Sequence, residues 1–131
     1  MEQLRVKLEN SLHKGFIDQY KPVSAQFKPK LLTNKKHENV LSTLLQELKT
    51  CKTFIFSVAF ITEGGLATLK TMLYDLEKIG VKGRILTSTF LSFNQPKMFK
   101  ELLKLKNVDV QLSDAKGFHS KGYIFEHENY Y

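Results

Sequence analysis

The chain has 131 residues, 42% of them hydrophobic and 25% charged, which suits one domain with its own core and argues against intrinsic disorder. Its net charge of +7 favours polyanionic partners, either nucleic acid or an anionic membrane surface. A single cysteine, Cys51, excludes a disulfide framework and a cysteine-based zinc site, and no run reaches membrane-spanning length, so a cytoplasmic protein without membrane attachment is expected.

Residues 1–36 read as a basic lead-in that wraps over a core rather than building one. Leu4, Leu8 and Leu12 recur every four residues, the spacing of a short amphipathic helix. Pro22 and Pro29 then interrupt a segment carrying Phe16, Tyr20 and Phe27. Lys14, Lys21, Lys28, Lys30, Lys35 and Lys36 interleave with these aromatics, a pattern that suits contact with a nucleic-acid backbone or simply a solvated face.

From Lys35 onward the chain alternates in a regular way. Val40, Leu41, Leu44, Leu45 and Leu48 define one helical face, with Asn34 as its expected N-cap. Thr53–Phe60 is β-branched, aromatic and almost continuously apolar, as in a central strand covered on both faces. Leu66, Leu69, Leu73 and Leu76 predict a second helix closed by Gly80. Gly83–Ser88 reads as a strand, and Pro96 opens a third helix with Phe99, Leu102 and Leu103 inward. Val108, Val110 and Leu112 alternate as a strand, and Lys121–Phe125 forms another. Strand alternating with helix predicts an α/β domain with a mixed, mainly parallel sheet and helices on both faces. Ser113–Gly117 is too short for a parallel crossover, so the last strand should run antiparallel to its predecessor. Its start then falls at the carboxyl edge of the parallel strands, where open α/β sheets bind ligands.

His119 and Lys121 occupy that start. Residues two apart on a strand share a face, so an imidazole and an ammonium would stand side by side. Such a pair suits attack on phosphorus by histidine while the lysine holds the phosphate oxygens. A bare histidine-x-lysine is also common surface decoration; the strand, the preceding Gly117 and the sheet edge raise its interest. Thr62, in Thr62-Glu63-Gly64-Gly65, either caps the following helix or offers a hydroxyl to an anion. Ser88, between Thr87 and Thr89, offers a further hydroxyl at that edge, and Glu63 either orients His119 or pairs with a lysine. His13 and His37 read as solvated, and His127 lacks the neighbours of a metal site. No phosphate-binding Gly-x-x-x-x-Gly-Lys loop and no nucleophile elbow occurs.

Phe118-His119-Ser120-Lys121-Gly122-Tyr123-Ile124-Phe125 resembles the His-x-Lys half-site of the phospholipase D superfamily. Pro29–Asn34, Phe56–Leu66 and Gly83–Ser88 resemble the phospholipase D-like nuclease domain that bacteria fuse ahead of superfamily II helicases of the DEAD/DEAH type. The similarity spans roughly residues 27–126. It implies His119 as nucleophile, Lys121 as phosphate ligand, and no metal or other cofactor in this domain; ATP and magnesium would serve the helicase part of the parent protein. The superfamily uses two half-sites, so the resemblance implies a homodimer acting on nucleic acid, DNA above all, beside a fused helicase domain. Glu126 stands where the family pattern has aspartate, and the Gly-Ser-x-x-Asn segment that follows in the family is absent. Residues 37–131 are thus expected to be a phospholipase D-like domain truncated after its motif, weak or inactive as a nuclease in this form. A non-catalytic nucleic-acid-binding module of the same fold, positioning a helicase, remains the alternative. Lipid phosphodiester hydrolysis ranks below both, because no interfacial helix with aromatic anchors is evident.

Overall fold

A computed structural model describes residues 1–17, 32–33, 35–36, 39–89 and 96–128. The chain divides into two compact units, Met1–Val40 and Leu41–Tyr131. In the first, Glu2–Ile17 forms helix α1. Leu4, Leu8 and Leu12 do recur along it, but all three are exposed, and an i,i+4 ion pair joins Arg5 to Glu9 at 2.9 Å. Pro22, Pro29, Tyr20, Phe27, the Asn34 cap and His37 lie outside the described residues.

The second unit is an α/β fold. Helix α2 (Val40–Leu48) leads into strand β1 (Thr53–Val58), followed by α3 (Glu63–Lys78), β2 (Lys82–Ser88), α4 (Pro96–Leu102), β3 (Val108–Ser113) and β4 (Lys121–Glu126). The sheet runs in the order β3-β2-β1-β4, with β1, β2 and β3 parallel and β4 antiparallel to β1. Local sequence dictates these elements. Thr62 caps α3 through its hydroxyl, which accepts the Gly65 amide at 3.1 Å. Gly80, at φ +78°, ends the same helix in the left-handed conformation that glycine adopts without strain.

Register fixes which side chains meet. Phe54 lies beside Gly83 and Phe56 beside Ile85, with Phe125 and Tyr123 opposite them on β4. These residues face a core completed by Leu48 from α2, Leu66, Leu73 and Leu76 from α3, and Met98, Leu102 and Leu105 from α4 and the turn after it. Each fully buried leucine or phenylalanine contributes roughly 1.5–3 kcal/mol. The alternate residues point away from that core: Ile55 is 38% and Ile124 55% exposed. Both crossovers step in one direction, from β1 to β2 to β3, and Lys70 of α3 meets Glu101 of α4, so α3 and α4 share a face. Among the described residues of this unit the helices gather on that face, rather than on both as the strand–helix alternation suggests. Burial of β1 on both faces fails for the same reason. Leu103 also departs from expectation: α4 ends at Leu102, and Leu103 is exposed while Met98 and Leu105 turn inward.

Polar contacts tie the layers together. The Asn107 side chain donates to Leu73 O at 3.3 Å and Val81 O at 2.9 Å, pinning α3 to the start of β2. Glu101 on α4 accepts from Lys104 and from Lys70 on α3, and those two ammonium groups hold its carboxyl down at about 2 from the ordinary 4.5. A depressed carboxyl stabilises the fold above its ordinary value and loses that contribution as pH falls through the folded one. The stability difference between the protein and Glu101→Gln should therefore be present at neutral pH, shrink below about pH 4.5 and vanish near pH 2. Thermal unfolding across that range checks it. Cys51 is a core residue whose thiol donates to Leu48 O; burial, opposed in part by a backbone hydrogen bond, raises its pKa.

Candidate active site

The chain reaches β4 by an unusual route. Because β4 pairs with β1, residues 114–120 cross the carboxyl ends of β2 and β1, roughly 14 Å at the ordinary strand spacing. The final strand is antiparallel to β3, as the short connection requires, but it is not β3's neighbour. Ser113 Oγ accepts the Ala115 amide at 3.2 Å, and Ala115 O accepts the Phe118 amide at 3.2 Å. Gly117, at φ +76°, makes the reversal that a side chain would strain. The strap thus delivers His119 to the carboxyl edge of the parallel strands.

His119 and Lys121 meet there. Lys121 Nζ lies 3.0 Å from His119 Nε2, and both side chains are exposed. An ammonium can only donate, so in this contact Nε2 offers its lone pair. Lys121 also stands 5.3 Å from the centre of the Phe60 ring, a cation–π distance that restrains the long side chain.

Ser88 supports the pair from beneath. It is 3% exposed, and its hydroxyl donates to Ala59 O at 2.8 Å. The Ala59 amide in turn donates to Ser120 O at 2.8 Å, between His119 and Lys121. The end of β2 therefore fixes the residue after β1, which fixes the strap. Ser88 acts as a positioning residue, its hydroxyl spent within the protein rather than offered to an anion.

The remaining sequence candidates are placed elsewhere or engaged otherwise. Thr62 Oγ1 caps α3. Glu63 Oε1 accepts from Lys97 Nζ at 2.8 Å, joining the starts of α3 and α4, and the carboxylate raises the pKa of that lysine. Glu126 pairs with Thr53 at the opposite end of β4, about 16 Å from Lys121 at the usual rise of a strand. It belongs to the far edge of the sheet.

Two features have no signal in local sequence. His127 is 8% exposed; its Nε2 meets Glu47 Oε2 at 2.8 Å and its Nδ1 lies 3.3 Å from Thr50 O, tying the chain after β4 to α2. Eighty residues separate that pair, beyond any spacing rule. A cavity of about 220 Å³ opens beside Phe60 and runs between β1 and α3, lined by Phe56, Tyr123, Leu66 and Leu69 and floored by Leu73 and Ile85. Among the described residues no three histidine, cysteine, aspartate or glutamate side chains cluster as metal ligands, and no helix is long and apolar enough to cross a membrane. No protein-family model matches the chain, and no curated protein matches it in sequence.

Proposed function

We propose that this chain is a phospholipase D-like module that binds and cleaves nucleic-acid phosphodiesters through His119. The observation that carries the reading is the 3.0 Å juxtaposition of Nε2 and Nζ at the carboxyl edge of the sheet. A phosphate displaces the contact between them: its oxygens take the ammonium protons, and Nε2 faces phosphorus. Attack forms an N–P bond and breaks a P–O bond. The leaving oxygen takes a proton from a second histidine, supplied by a second copy of the chain, and water then hydrolyses the phosphohistidine. Lys121 neutralises the charge that builds on the non-bridging oxygens. The net charge of +7 draws a polyanion to the site. A helicase fused in the parent protein would supply the strand to be cut.

A binding module that grips phosphate without cutting is the second reading, favoured by the engagement of Glu63 with Lys97, which leaves that carboxylate committed away from the histidine. The two separate in one titration series. Lys121→Ala should weaken binding of single-stranded DNA and reduce the slope of log affinity against log salt by about 0.7, one phosphate contact's worth. Cutting in EDTA by the unaltered protein supports the enzyme; salt-sensitive binding without cutting supports the module.

A further inference from the structure

From the cavity beside Phe60 we infer that the site takes an unpaired nucleobase, seated next to the phosphate held by Lys121. This rests on the phosphodiester reading above and names its substrate class as single-stranded. Lys121 and Tyr123 lie two apart on β4 and share the face toward the helices, with Val58 paired to Lys121 on β1. The cavity therefore begins where the phosphate site ends, with the Phe60 ring common to both.

Its lining suits a flat ring. Phe56, Phe60 and Tyr123 supply aromatic surface, and Phe56 and Tyr123 already stand edge to face at 5.2 Å. Tyr123 carries a hydroxyl and is 36% exposed, so a base can stack inside with its polar edge toward solvent. A base held in a duplex cannot enter, because its pairing edge and both faces are occupied. Nor does the cavity fit a long acyl chain. It ends against Leu73, Leu102 and Ile85, each at most 4% exposed, a closed floor rather than a channel.

The test compares oligothymidylate with an abasic backbone of equal length and charge, both titrated against the full chain. Stacking of one base is expected to make the abasic strand bind about tenfold more weakly. A duplex of the same length should bind at the abasic level. A strand carrying 2-aminopurine should change its emission on binding. Leu69→Trp, which fills the cavity, should lower oligothymidylate to the abasic affinity; should that variant not fold, the two strands on the unaltered protein decide alone. Equal affinity for the two strands, with Lys121→Ala weakening both, would overturn the base site while leaving the phosphate site standing. Binding indifferent to Lys121→Ala would remove the phosphate site itself. Displacement of the 2-aminopurine strand by a short-chain phospholipid, and not by thymidylate, would assign the cavity to an acyl group and overturn the proposal.

Discussion

His119→Ala should lower phosphodiester cleavage by about a thousandfold or more while the protein keeps its fold. Both halves of that expectation come from the geometry. The side chain is exposed at the sheet edge and contributes nothing to the core, so its removal opens no cavity. Its Nε2 supplies the lone pair that would form the bond to phosphorus, and alanine has no substitute for it. Affinity for the strand should fall far less, because Lys121 and the surrounding charge remain. Cleavage and binding measured side by side, with thermal unfolding as the control, check the split. A proportionate loss of both would instead make His119 a phosphate contact.

Gly83→Ala should destabilise the second unit by about 3 kcal/mol or more, among the larger effects of adding one methyl group. Gly83 is buried on β2 beside Phe54, and a Cβ there would overlap the Phe54 ring. That ring is 1% exposed and packs against Phe56 with centroids 5.0 Å apart, so it has no direction in which to yield. The glycine here answers to close approach of a side chain, not to backbone conformation. Shrinking the obstacle should relieve the clash: Gly83→Ala added to Phe54→Leu should cost clearly less than Gly83→Ala added to the native protein. Denaturant unfolding of the four members of that cycle measures the coupling.

Much of the architecture is legible in the chain. Thr53–Val58 announces a strand by its β-branched and aromatic run, Gly80 marks the end of α3, and Pro96 opens α4 at its first position. The short Ser113–Gly117 link implies an antiparallel final strand. Periodicity does not encode the order of strands, however. Only the order β3-β2-β1-β4 reveals that both crossovers step the same way, which leaves Ile55 and Ile124 exposed. A continuous apolar run such as Thr53–Phe60 hides that asymmetry, because Ile55 looks no different from Phe54. Leu103 misleads similarly: next to the fully buried Leu102 it looks equally apolar, yet it is exposed while Met98, Leu102 and Leu105 fill the core.

At the site, the His119–Lys121 pair is readable because only two residues separate its members, although Lys121 opens β4 and His119 still belongs to the strap before it. The supporting groups are not, since their partners come from other elements. Ser88 reaches Ala59 across 29 residues and Glu63 reaches Lys97 across 34. Glu126, which the motif resemblance picks out, pairs with Thr53 at the far end of β4, a placement that strand rise alone dictates.

A covalent phosphorus on His119 is the species that separates this chemistry from all rivals. The parent protein is incubated in EDTA with saturating oligonucleotide, quenched in alkali, where phosphohistidine survives, and analysed by mass spectrometry of its peptides. A nucleotide adduct on His119, absent from His119→Ala, is the predicted result. An unmodified His119 under those conditions, with the strand bound and intact, would contradict the mechanism and leave a module that holds phosphate without cutting it.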